Sequence, residues 1–338
     1  MAISFEARNQ IDLRVDYLAS RDDLIMDGDT HASDLTRLPE AIAAQRQATP
    51  NYFHGRPISA EELVAEMDLA GVDVALSWQN PAATVYGDDA QANFEALHAA
   101  NAYIYEAAKR FPTRIVPAGW TDPKALGEDR ARRLIDCCID DFGFAIVKMN
   151  PAQNAFPIDS EPVLACVDHI VGRGAIPAFH YGADTPFTPP EGFAAVARRH
   201  SETPVIGVHM GGGGAGYVEG EHHYQASRRM LRDLPNVFFI ESAKRDTHIE
   251  SDLIDAATDP KHAWRRIAAA SDAPYGRMTW NFGGYRLMMA SLTAGAKHTD
   301  PRLRHQPDLI SEDMVAGYLG GNLRRLLLDA HGRLIEAN

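Results

Sequence analysis

The amino-acid sequence predicts an α/β fold, specifically a (β/α)8 TIM barrel, on three observations. Eight short β-type runs alternate with helical stretches. The runs are continuously apolar rather than alternating, as strands covered on both faces are. The long irregular stretches, residues 32 to 58, 181 to 192 and 273 to 284, all follow strands, which in a barrel places them on one face.

The regular pattern begins at Leu24-Ile25-Met26 and continues through Val72–Ser77, Arg114–Gly119 and Phe144–Val147. Ile176–Phe179, Val205–Val208, Val237–Ile240 and Ile267–Ala270 complete the eight. Between the first two runs, Ser59-Ala60-Glu61-Glu62 reads as a capping box opening a helix that carries Leu63, Met67 and Leu69, and Gly71 closes it. Ser160 likewise precedes a helix through Leu164 and Val167. Residues 1 to 23 are polar without a clear period and read as an N-terminal extension able to cover a neighbouring subunit. Residues 24 to 338 read as one catalytic domain, because no Pro/Gly/Ser linker divides them.

Composition excludes several function classes. Hydrophobic residues at 45% and charged residues at 23% are the balance of a globular chain, not a disordered one. With 46 acidic against 33 basic residues, the formal charge of -13 argues against nucleic acid or anionic membrane as a partner. Neither a signal peptide nor an apolar run of membrane-spanning length is visible, so a cytoplasmic enzyme acting on a small molecule is expected. Cys137, Cys138 and Cys166 form no CxxC pair and read as apolar thiols in a reducing compartment.

The most informative pattern stands at the ends of the later runs: Lys148, His180, His209, Glu241 and Asp272, separated by 32, 29, 32 and 31 residues. Each interval is about one βα repeat, so a polar side chain recurs at one level, where barrel enzymes gather their catalytic groups. The first run adds Asp27, Asp29 and His31, which alternation sends to the same side. Carboxylate and imidazole are the donors that zinc, manganese and iron accept. Asp29, His31, His180 and Asp272 are therefore the expected ligands of one divalent ion, zinc first, with manganese or iron as alternatives. His209 and Asp272 are the expected catalytic pair. Lys148, Asn150, Trp78, Trp120, Tyr181 and Arg277 follow strands and are expected to line a substrate pocket. Glu241 is as readily a structural partner of Lys244 or Arg245.

At these residues the chain resembles the amidohydrolase superfamily, in the branch that holds aminocarboxymuconate semialdehyde decarboxylase and the aromatic-acid decarboxylases. Asp29-x-His31, Phe179-His180, Val208-His209-Met210-Gly211-Gly212 and Ser271-Asp272-Ala273-Pro274 look like its four signatures. Tyr318 to Leu326 looks like its closing helix, with a Gly-Asn-x-x-Arg pattern. The resemblance implies a barrel of the metal-dependent hydrolase type, one metal held at the first, fifth and eighth strands, a sixth-strand histidine beside it, and often a dimer or larger homo-oligomer. Two features differ: the first-strand pair is Asp-x-His rather than Glu-x-His or HxH, and Gly211 to Gly214 lacks the acidic residue that many aromatic-acid decarboxylases place there. The first expectation is accordingly hydrolysis of a small amide, lactone or ester by activated water, with Asp272 as base and His209 stabilising the oxyanion. The alternative is a lyase, a non-oxidative decarboxylase or a hydratase, of an aromatic or unsaturated carboxylic acid.

Overall fold

The computed structural model describes residues 2–49, 54–213, 217–259, 261 and 263–338, with residues 217–220 described in their backbone alone. Among these residues nine strands, all pairing in parallel, form the eight staves of a TIM barrel: β1 (Met26–Ala32), β2 (Val74–Gln79), β3 (Ile115–Pro117), β4 (Gly119–Trp120), β5 (Ile146–Met149), β6 (Ile176–Gly182), β7 (Val205–Gly211), β8 (Val237–Glu241) and β9 (Ile267–Ala269). β3 and β4 are one stave broken at Ala118, whose amide donates to the Ser77 carbonyl at 2.9 Å. The ring closes where the His31 amide donates to the Ala273 carbonyl at 2.7 Å, beside a parallel bridge between Thr30 and Ala273.

All eight expected strands are present, but several run further toward the carboxyl end than their apolar runs. β1 continues through Asp27, Asp29 and His31, β6 through His180 to Gly182, and β7 through His209 to Gly211. The physical reason is that these strands pack on apolar neighbours along their lower length and open onto a polar mouth at their upper ends. Hydropathy therefore stops before the strand does.

The capping box at Ser59 and Glu62 is formed, and Gly71 ends that helix with φ +63°. The stretches expected to be irregular contain helices at Glu40–Ala48 and from Met278 onward. The N-terminal extension is also helical, over Phe5–Ser20, and rests on its own barrel. Its buried stripe is Ala7, Ile11, Arg14 and Leu18, at helical spacing, and the arginine inside that stripe hides the period from a hydropathy reading. Arg324 on the C-terminal helix Asn322–Ala337 holds it by donating to the Leu18 carbonyl at 2.6 Å. Asn322, from the Gly-Asn-x-x-Arg pattern, donates to the carbonyls of Trp264 and Ile267 at 2.8 and 2.7 Å, pinning the closing helix to the foot of β9.

Cys138 and Cys166 are buried, Cys137 is half-buried, and all three are free thiols. No helix among the described residues is long and apolar enough to cross a membrane.

Candidate active site

Side chains from five staves converge at the carboxyl ends of the strands around a cavity of about 370 Å³, whose lining includes His31, Lys148, Asn150, His180, His209 and Asp272. His54, Gln153, Asp184 and Tyr275 add to the polar and aromatic part of the wall.

At the floor, one atom each from Asp29, His31 and Asp272 come together within 4.8 Å of one another. Nε2 of His31 stands 3.4 Å from an oxygen of Asp29 and 3.4 Å from an oxygen of Asp272. Its other nitrogen, Nδ1, faces the Gln79 carbonyl at 2.7 Å, an acceptor only, so Nδ1 carries a hydrogen and Nε2 is the nitrogen turned toward the two carboxylates, where it takes a proton or offers its lone pair to a cation. Three electron-rich atoms thus face one another in a buried place, an arrangement that calls for a shared positive charge. Two carboxylates and an imidazole, with the histidine oriented by a backbone carbonyl behind it, fit a divalent cation.

Burial opposes a charge on Asp29, yet Lys148 beside it, with His31 and His209, holds the carboxyl well below the usual carboxylate range. The Lys148 ammonium lies 3.2 Å from Asp29 and 4.1 Å from the centre of the Trp78 ring. Trp78 donates its indole N–H to the same Asp29 oxygen at 2.7 Å. On the other Asp29 oxygen, Ser242 donates from 3.1 Å. Having spent its hydrogen there, Ser242 accepts from Nδ1 of His209 at 2.8 Å, which leaves Nε2 of His209 with its lone pair toward the pocket. Burial, with repulsion from His180, pushes His209 down to about 4, so it is neutral near pH 7. His31 is shifted upward: burial alone would lower it, but its contacts with Asp272 and Asp29 favour the charged form.

His180 occupies the same wall, yet its Nε2 faces Asp184 and its Nδ1 faces His209 at 3.1 Å. The tight three-residue group does not include it.

The structure redistributes the expected pocket residues. Lys148 and Asn150 line the cavity, although the Asn150 amide oxygen caps the short helix Pro151–Asn154 by accepting from Ala152 and Gln153. Trp78, Trp120, Tyr181 and Arg277 do not line it. Both tryptophans are fully buried, with their rings 4.1 and 5.3 Å from the Lys148 ammonium. Strand alternation turns Tyr181, the residue after His180, outward into the helical layer, where it stacks on Phe193 and Phe239. Arg277 reaches away to pair with Glu66 at 2.9 Å. Asp27 belongs to the frame: it accepts from the backbone amides of Ser271 and Asp29, and burial pushes it up to about 7. Glu241 is fully buried with Lys244, which also pairs with Asp252. A sequence reading misses Ser242, Asp184, His54 and Tyr275. Asp184 lies four residues past His180, and Ser242 directly follows a strand-end residue, but neither has a period or a motif to mark it.

Backbone strain marks the same place. His209, Met210, Ala243 and Asp272 all adopt positive φ, at +79°, +47°, +48° and +57°. Such conformations persist where surrounding structure dictates them, and they cluster at functional sites.

Solved structures share this architecture. The chain aligns with 2,6-dihydroxybenzoate decarboxylase from Rhizobium at a TM-score of 0.61 and 15% identity, covering 90% of this chain and 98% of that one. The 5-carboxyvanillate decarboxylase from Sphingomonas paucimobilis aligns at 0.60 and 16%, covering 90% and 99%. A dihydroxybenzoic acid decarboxylase from Polaromonas, solved with manganese and the inhibitor 2-nitroresorcinol, aligns at 0.60 and 15%, covering 90% and 97%. No curated protein matches the sequence. The sequence model of the amidohydrolase family matches residues 26–327, nearly the whole barrel, and the chain belongs to that family.

Proposed function

We propose that this chain is a metal-dependent, non-oxidative decarboxylase of a hydroxylated aromatic acid. This corrects the first expectation, hydrolysis of an amide, lactone or ester. A buried cation site beside an acid/base pair is compatible with either chemistry, and the aligned structures named above are decarboxylases of dihydroxybenzoate and carboxyvanillate. The observation that carries the reading is the pocket itself. A cavity of about 370 Å³, at the small end of ligand sites, joins the Asp29, His31 and Asp272 group to aromatic walls at His54 and Tyr275.

Decarboxylation places one proton on the ring carbon that bears the carboxylate. The carbon–carbon bond then breaks, its electron pair returns to the ring, and carbon dioxide leaves. Asp272 is the residue placed to deliver that proton, once its carboxylate has taken one up from the substrate's own hydroxyl or from water, since it opens onto the cavity while keeping one oxygen toward His31. His209, neutral and anchored through Ser242, presents a lone pair that can hold or guide the proton rather than donate it. The Lys148 ammonium keeps Asp29 ionised and sets a positive charge at the pocket floor, where a substrate carboxylate would settle. Asp29, His31 and Asp272, with His180 beside them, would hold a divalent ion that, when bound, supplies Lewis-acid charge for the substrate's carboxylate and neighbouring hydroxyl oxygens. Manganese, the ion held by the aligned Polaromonas decarboxylase, is favoured over the zinc expected first.

Carbon dioxide release is the test. Metal-loaded protein is offered a panel of dihydroxybenzoates and carboxyvanillate, beside a matched panel of aryl esters, lactones and amides. One carbon dioxide per acid consumed is expected from at least one acid. Turnover confined to the ester, lactone or amide panel would contradict the reading.

A further inference from the structure

The two nitrogens of His180 are committed in opposite directions. Nε2 meets both oxygens of Asp184, at 2.9 and 3.0 Å, and Nδ1 faces Nε2 of His209 at 3.1 Å. Asp184, ionised, only accepts, so Nε2 carries the hydrogen and Nδ1 offers its lone pair. On the facing ring, the Ser242 contact has already directed the lone pair of His209 the same way. Two imidazole lone pairs facing each other on one pocket wall are favourable only with a proton or a cation nearby.

The surrounding backbone is shaped to admit the Asp184 carboxylate. A Cβ on Gly182 would stand 2.4 Å from its Oδ1, and one on Gly213 would stand 3.4 Å from its Cγ. The loops that carry these glycines are joined to each other, because the Ala183 amide donates to the Gly212 carbonyl at 2.9 Å. A side chain at 182 would therefore collide with the carboxylate, whereas one at 213 would only touch it, and Asp184 keeps its place at the ends of β6 and β7.

From this geometry we propose that Asp184 is the positioning residue for His180: it locks the ring so that Nδ1, and not Nε2, is the atom offered to a cation. The inference rests on the metal-dependent reading above and adds to it how a fourth ligand is oriented. Carboxylates placed behind metal-bound histidines do this work widely, and their removal costs about 10–100-fold in metal affinity.

The test uses cobalt(II) as the probe, because its visible absorption reports ligand number and geometry. Metal-stripped wild-type protein, Asp184→Asn, Asp184→Ala and His180→Ala are titrated with cobalt(II), and thermal midpoints of the metal-free forms check the fold. Asp184→Ala is expected to weaken binding about 10–100-fold with a changed cobalt spectrum. Asp184→Asn, whose amide oxygen still accepts from Nε2, should fall between it and wild type. If Asp184→Ala does not fold, a weakening of several-fold with a changed spectrum in the near-isosteric Asn variant supports the inference. Binding within threefold of wild type and an unchanged spectrum in the folded Asp184 variants would overturn it. The same holds if His180→Ala leaves affinity untouched. Wild-type protein that binds no cobalt at all would instead refute the cation site itself, which separates the two failures.

Discussion

Asp272→Asn is expected to lower turnover by about a thousandfold or more while leaving the thermal midpoint of the metal-free protein nearly unchanged. The carboxylate has two duties in the account: one oxygen belongs to the group with Asp29 and His31, and the residue opens onto the cavity as proton donor. Asparagine keeps the shape and removes both the negative charge of the ionised carboxylate and its capacity to take up a proton and pass it on. It also suits the backbone, because residue 272 sits at φ +57°, a left-handed conformation that asparagine tolerates nearly as well as aspartate. Steady-state carbon dioxide release beside a melting curve separates the effects. A folded variant with near-normal turnover would remove Asp272 from the mechanism.

Lys148→Met should act on stability as well as activity. Lys148 and Asp29 are both buried, and the ammonium rests between the indoles of Trp78 and Trp120. Methionine fills much of the same space against those rings but leaves the Asp29 carboxylate without its nearest fixed cation. Breaking a buried pair by removing one partner costs about 3–5 kcal/mol, and urea unfolding of the metal-free variant should register a loss of that order. Part of that loss should return on adding manganese, because an ion bound only by the folded state stabilises it by mass action and here also restores the missing positive charge. Turnover should fall too, since the pocket floor loses the positive charge proposed to receive the substrate carboxylate. A variant as stable as wild type without metal would mean that Asp29 is not held ionised by Lys148.

What the sequence reveals follows from how each feature is encoded. The barrel is legible because all eight staves carry apolar runs, and the site is legible because Lys148, His180, His209, Glu241 and Asp272 recur at the interval of one βα unit. Spacing reports which residues reach the mouth, but not which way a ring turns once there. Hence His180 appears among the expected ligands while its orientation depends on Asp184, a loop residue without any pattern. Pocket lining fails for a similar reason. Trp78 and Trp120 sit at strand ends as expected, yet the barrel interior buries them around the Lys148 ammonium, and Tyr181 points outward because alternation places it opposite His180. Arg14 hides the N-terminal helix because one buried charge breaks the hydropathy stripe that would have announced it.

If the proposed function holds, residues from the first and last staves of the barrel gather around one divalent cation. A crystal structure of the protein grown with manganese, with anomalous scattering data collected to locate the ion, tests this most directly. A single strong anomalous peak bonded to Asp29, His31 and Asp272 is the predicted result. A map with no peak there, or with manganese held only at other residues, would contradict the account.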